Sequence, residues 1–260
     1  MSNTLSKNLA KLIKSLDTKK GRTKNGLFLA EGLKLVSDML KSDFELFKLV
    51  TTEELADKFN VSGDKLAIDS AENIKKASLQ KTPQNTLALF RLPEQPSNLN
   101  LNLNLNTLLI CLDGLQDPGN LGTIVRTCSW YGINNIICSK DTADIYNPKA
   151  MQASMGGLRN VKVHYCDLTT FLTRCKASGV SIIATHTEGK SLDDTILSAS
   201  SILILGNEGK GVSEEIMALA DTKVGLPSFH GGCGAESLNV SIANAIFCHE
   251  YRRNNKTTMQ

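Results

Sequence analysis

Leu5, Leu9, Leu12, Ile13 and Leu16 recur at the spacing of one helical face with lysines between them, so an amphipathic helix opens the chain. The stretch GRTKNG, Gly21 to Gly26, is expected to break it, with Asn25 and Gly26 forming a turn. Short apolar runs follow at Leu27–Ala30, Leu46–Val50, Lys65–Ile68 and Thr86–Phe90, and helical patterns beginning near Glu31, Thr52 and Ala71 separate them. This alternation predicts a small α/β unit ending near Arg91.

LPEQPSNLNLNLNLN, Leu92 to Asn106, has two prolines and a repeated Leu-Asn pair, which mark a linker. Asparagine is poor in strands, so the alternation is not read as one. The pattern then resets. Near-continuous apolar runs at 107–113, 135–139, 161–165, 181–185 and 201–206 predict buried strands, and 223–227 a last short one. Helical patterns fill the gaps at 118–131, 148–155, 167–177 and 213–220, and a long helix is expected from about Ser237 to Arg253. Leu238, Ile242, Ala243, Ile246 and Phe247 would form its buried face, with Ser241, Ala243 and Ala245 allowing close packing. Such strands with intervening helices imply an α/β fold whose parallel sheet is covered on both faces. Ligands in such sheets sit beyond the strand C-termini.

Composition excludes several classes. The chain has 41% hydrophobic and 21% charged residues and no apolar run long enough to span a bilayer. The opening MSNTLSKNLAKLIKSL lacks the apolar core and cleavage site of a secretory signal. Seven cysteines fall singly, with no C-x-x-C pair, so neither a disulfide framework nor a zinc site is indicated. A cytoplasmic protein with free thiols and no metal is expected. The net charge of +3 divides unevenly, with +6 in residues 1–34 and −3 over the rest. A basic head on a mildly acidic body is equally compatible with a polyanionic partner and with a solubilising terminus.

Three segments stand at the predicted strand ends. In DGLQDPGNLGTIVRT, Asp113 to Thr127, Asp117 and Pro118 form a helix start, and Leu121, Ile124, Val125 and Cys128 a buried stripe. Arg126 falls nearly opposite that stripe, and Asn120 sits in the first turn between Gly119 and Gly122. In LILGNEGKGVSEEI, Leu203 to Ile216, a strand ends in a loop holding Gly206, Gly209 and Gly211 around Glu208. It is not a phosphate loop of the Walker kind, because Lys210 is followed by glycine. In the third segment, Lys223 to Arg253, Ser237 and Asn239 lie where a helix begins, placed to cap it or to meet a ligand.

In this order, DPGNLGTIVRT, LILGNEGKGV and LP…ESLNVSIANAI resemble the three motifs of the SpoU/TrmH family of RNA ribose 2′-O-methyltransferases. NGLFLAEGLKLV and KTPQNTLALF are similar to the substrate-binding domain of its rRNA-directed members. The resemblance implies an RNA substrate-binding domain at 1–91, a linker at 92–106 and an α/β SPOUT methyltransferase domain at 107–260, tied in a deep trefoil knot. It implies S-adenosylmethionine as cofactor, held around Leu205, Gly206, Asn207, Glu208 and Gly209, around Leu226 and Pro227, and around Ser237 and Leu238. It also implies a homodimer acting on RNA, most often large-subunit rRNA. Asn120, Arg126, Glu208, Ser237 and Asn239 match the family's functional residues. By that analogy Arg126 meets the 2′-hydroxyl or its phosphate as base or anchor, and Asn120 orients the ribose or Arg126. Glu208 holds a loop or a substrate group, and Ser237 and Asn239 shape the pocket. Between Pro227 and Glu236 the loop SFHGGCGA is a few residues longer than the family's.

Other readings compete. A tRNA 2′-O-methyltransferase or a catalytically silent ribosome-assembly factor would share the fold. Loss of Asn120, Arg126 or Asn239 would mark the silent factor, and all three are present. A thiol hydrolase using Cys233 and His230 lacks a third group to orient its base and a strand–nucleophile–helix elbow.

Overall fold

The computed structural model describes residues 4–94, 108–229 and 234–255. The expected linker and the His230–Cys233 stretch lie largely or wholly outside them. The chain forms two compact units. The first takes residues up to Glu94 together with Asp144–Arg159, and the second takes the rest.

In the first unit α1 (Lys7–Ser15), α2 (Lys19–Asn25), β1 (Leu27–Glu31), α3 (Leu33–Met39), β2 (Leu46–Thr51), α4 (Glu53–Ala56), β3 (Leu66–Ile68), α5 (Ala71–Ala77) and β4 (Thr86–Arg91) follow the predicted alternation. The sheet order is β1-β4-β2-β3, and only β2 and β3 pair in parallel. GRTKNG does not break the helical pattern as expected; most of it is α2 itself. Thr18 caps that helix through the Gly21 N–H, and Gly26 ends it at φ 63°. A Cβ on Gly21 would lie 1.8 Å from the Ser15 carbonyl oxygen, so this glycine serves the close approach of α2 to the end of α1. Phe28 stacks on Phe90 and meets Tyr146 of the Asp144–Arg159 segment. Buried Arg22 donates from Nε and Nη2 to Asp144 Oδ2 at 3.0 and 2.6 Å, and from Nη1 to the carbonyls of Leu16 and Asp17.

The second unit, continued in chain order, has β5 (Leu108–Leu112), α6 (Pro118–Trp130) and β6 (Asn135–Ser139). The chain then enters the first unit, where α7 (Pro148–Ser154) lies, and resumes with β7 (Lys162–Cys166), α8 (Leu168–Ala177) and β8 (Ser181–Ser191). β9 (Ser201–Leu205), α9 (Glu214–Met217), β10 (Thr222–Gly225) and α10 (Val240–Asn254) complete it. All six strands are parallel in the order β10-β8-β9-β5-β6-β7, as the buried apolar runs predicted. Chain order reverses between β5 and β9, the crevice where such sheets bind ligands.

α10 departs from expectation in its facing. It buries Ser241, Asn244, Phe247, Cys248 and Tyr251. Leu238, Ile242 and Ile246 are 52%, 52% and 39% exposed. Phe247 is buried as expected, but it is joined by Ser241, Asn244, Cys248 and Tyr251 where α10 lies against α6, and within the helix Asn244 Oδ1 accepts from the buried Cys248 thiol. The apolar stripe is left to solvent in a single chain. No helix among the described residues is long and apolar enough to cross a membrane.

Candidate active site

Two neighbouring strand ends build the site. β5 leads through Asp113–Asp117 into α6, whose first turn Asp117 caps by accepting the Asn120 N–H at 2.8 Å, with Pro118 at the first helical position. β9 ends in the 206–211 loop, closed by a pair of 2.9 Å hydrogen bonds between the Asn207 and Gly211 backbones. Asn207 Oδ1 accepts the N–H groups of Gly209 and Lys210, and its Nδ2 donates to the Gly114 carbonyl at 2.8 Å. A Cβ on Gly206 would lie 2.1 Å from the Gly211 carbonyl carbon, so this turn admits no side chain there.

The start of α10 joins these loops. Asn239 is its cap, and Asn239 Oδ1 accepts the Ser241 N–H at 2.9 Å, the Ser241 hydroxyl at 2.6 Å and the Ile242 N–H at 3.4 Å. Asn239 Nδ2 donates to Asn120 Oδ1 at 3.0 Å, and Asn120 Nδ2 donates to Glu208 Oε1 at 3.1 Å. The direction of this relay is forced. A carboxylate can only accept and helix N–H groups can only donate, so each amide between them has one allowed orientation. Each amide nitrogen spends one N–H in the relay and keeps a second for a ligand.

Glu208 also accepts the backbone N–H groups of Gln116 and Asp117 at 3.4 Å each. Partial burial acts to raise its pKa, but the bonds from Asn120 and the backbone N–H groups outweigh it and hold the carboxyl below its ordinary value. Glu208 is therefore an anion at neutral pH.

Asn120, Glu208 and Asn239, up to 119 residues apart, are thus brought together. Arg126 is not. It is exposed on α6, and six residues of helix place it about 9 Å along the axis and about 120° around from Asn120. Ser237 is exposed two residues before the cap and stands outside the relay. Leu205 is buried at the end of β9, Leu226 and Pro227 follow β10, and Leu238 precedes the cap. His230 and Cys233 lie outside the described residues, among which no His/Cys/Asp/Glu group is arranged to hold a metal.

The sequence reading missed two contributors. Ser241 enters through its hydroxyl, and nothing in its spacing distinguished it from a packing residue. The β8–β10 register jumps from Ala184 opposite Lys223 to Lys190 opposite Val224, so Thr185–Gly189 leave the ladder between the ends of β9 and β10. Thr185 anchors this excursion by donating to the Ile204 carbonyl at 3.0 Å. The strand expected at 181–185 stopped short of Gly189, whose Cβ would strike the Val224 main chain, so no local signal marked the excursion.

Residues 107–249 match the SpoU rRNA Methylase family, and residues 7–88 match the MRM3-like substrate binding domain. The chain is 32% identical to the 23S rRNA (guanosine(2553)-2'-O)-methyltransferase RlmP of Bacillus subtilis over 92% of this chain and 94% of that one. Among solved structures, a putative RNA methyltransferase of the TrmH family from Porphyromonas gingivalis superposes with a TM-score of 0.86 at 36% identity, covering 96% of this chain and 99% of that one. An AdoMet-bound rRNA methyltransferase from Sinorhizobium meliloti superposes with a TM-score of 0.83 at 29% identity, covering 96% of both chains.

Proposed function

Since the chain belongs to the SpoU rRNA methylase family, we propose that it transfers a methyl group from S-adenosylmethionine to a ribose 2′-hydroxyl of large-subunit rRNA. The observation that carries the assignment to this site is the Glu208–Asn120–Asn239 relay at the sheet's reversal point.

The residues present fit the cofactor. Gly206 and Gly225, where a Cβ would strike neighbouring main chain, let the 206–211 loop and the end of β10 pack tightly, which fixes their peptide groups at the strand ends where a flat heterocycle would meet them edge-on. Leu205–Gly209, Leu226–Pro227 and Ser237–Leu238 would hold it, with the accessible Leu226 and Leu238 side chains offering apolar cover. S-adenosylmethionine, when bound, supplies an already activated methyl group, so the protein's task is to align and polarise a weak nucleophile. The spare N–H groups of Asn120 and Asn239 meet the ribose oxygens. Arg126 anchors the adjacent phosphate and draws the 2′-hydroxyl toward its ionised form. Glu208 keeps the amides aimed, and Ser237 closes the pocket beside them.

Arg126 faces away from the relay, so a second copy of the chain supplies it. The exposed stripe of Leu238, Ile242 and Ile246 on α10 supports such a homodimer. Residues 1–91, joined by Asp144–Arg159, form the RNA-binding part. Residues 92–106 link it to the catalytic part, which takes 107–260 apart from that segment and where the return of α10 from the far-edge strand β10 to α6 supports the trefoil knot. The described cysteines are free, in keeping with a cytoplasmic setting.

The test is methyl transfer from labelled S-adenosylmethionine to 23S rRNA fragments, followed by alkaline hydrolysis. A single hydrolysis-resistant ribose is expected. Cofactor binding without any ribose methylation would favour the silent assembly factor, and methylation confined to tRNA would move the substrate.

A further inference from the structure

We propose that Ser241 is a positioning residue for methyl transfer, acting through Asn239. The inference rests on the function proposed above, because it concerns catalysis only where Asn239 faces the ribose.

Ser241 is 6% exposed, so its hydroxyl is shielded from substrate. That hydroxyl donates back to Asn239 Oδ1 at 2.6 Å, the shortest of the three bonds this oxygen accepts. A capping asparagine ordinarily spends its carbonyl on backbone N–H groups. Here the same residue adds a side-chain donor to the backbone one, which pins the amide plane from two directions. Three donors on one carbonyl oxygen also withdraw electron density from the amide and strengthen its N–H groups as donors. One of those N–H groups continues to Asn120 and thence to the Glu208 carboxylate. The other is the donor left for the ribose. Ser241 thus sets both the aim and the strength of a group it never shares with the substrate.

The side-chain amide NMR signals of Asn120 and Asn239, assigned by their loss in N120D and N239D, give a readout free of turnover. In the native protein Asn239 is expected to show a shifted, slowly exchanging amide pair. Ser241→Ala should move it toward the free-amide position and speed its exchange. An Asn239 signal unchanged in Ser241→Ala overturns the proposal, whatever the activity.

Kinetically, Ser241→Ala should lower kcat about tenfold, the effect of one well-placed hydrogen bond, while KM for RNA and cofactor affinity stay within twofold. In an Asn239→Ala background the same substitution should change kcat less than twofold, because its route of action is gone. Independent, multiplying losses would show that Ser241 does not act through Asn239. A lowered melting temperature with kcat unchanged would reduce Ser241 to a helix-packing residue and also refute the proposal. Absence of ribose methylation by the native protein would count against the functional reading alone, with the amide signals still deciding whether Ser241 holds Asn239.

Discussion

Replacing Glu208 by glutamine removes the charge while keeping the shape. Three N–H groups point at this carboxylate, from Asn120 at 3.1 Å and from Gln116 and Asp117 at 3.4 Å. Glutamine offers one oxygen and one NH2, so at least one donor is left facing another donor. A hydrogen bond to a charged group contributes roughly 1.5–3 kcal/mol net. Glu208 is solvent-exposed and two of its bonds are long, which lowers the loss to about 1–1.5 kcal/mol. If that loss falls on the orientation of Asn120, kcat drops about tenfold. Steady-state methyl transfer to an rRNA fragment measures it, with cofactor affinity by calorimetry as the control. A Glu208→Gln enzyme within twofold of native kcat would refute the claim that the carboxylate aims the two amides. The pH dependence follows from the depressed pKa. A carboxyl lowered on folding contributes stability in full above its unfolded value, about 4.3 for glutamate, and that contribution is lost as pH falls through the lower folded value. Glu208 therefore adds no limb to the kcat profile between about pH 5 and 9, and Glu208→Gln lowers the plateau without shifting it.

Asp144→Ala leaves Arg22 charged and buried, so it should destabilise the first unit by about 3–5 kcal/mol; a loss below about 1 kcal/mol in urea unfolding would show the pair to be dispensable. Ile242→Glu combined with Ile246→Glu should give a monomer by sedimentation and abolish methyl transfer, and a dimer that survives both charges would displace the interface from α10. Arg126→Ala and Asn239→Ala chains, each strongly impaired but measurable alone, should regain activity when mixed and allowed to exchange, since one subunit then carries an intact relay opposite an intact arginine. No recovery in confirmed mixed dimers would place Arg126 in its own chain's site. Gly206→Ala should lose cofactor binding or fail to fold, because its Cβ meets the Gly211 main chain at 2.1 Å; native affinity would mean that the loop relaxes readily.

The parallel sheet was legible because buried strands need apolar residues on both faces, and four of the six, β5, β6, β8 and β9, produced unbroken runs. The first cap was legible because Asp117 followed by Pro118 is local chemistry. α2 was not, since its glycine answers to the Ser15 carbonyl rather than to its own neighbours. Nor was the facing of α10. Periodicity identifies an apolar stripe but not what covers it, and here the buried face carries Ser241, Asn244 and Cys248 beside Phe247 and Tyr251 while Ile242 and Ile246 stay exposed. Nor could spacing show that the Asp144–Arg159 segment packs with the first unit.

The same limit separates the readable part of the site from the unreadable part. Asn120, Glu208 and Asn239 are each tied to a local event, a first helical turn, a tight loop and a helix cap, and the sheet then brings those events to one edge. Arg126 is tied to no such event. Its helix directs it away from the relay, and on α10 the isoleucines that sequence assigned to the core are directed outward as well. Both features look misplaced in one chain, and a second copy answers both. In the proposed dimer it would cover the apolar stripe and bring an arginine toward the amides of the facing chain. A fold that placed Arg126 beside its own Asn120 would have no such use for the exposed stripe, so the mixed-dimer experiment tests the two features together.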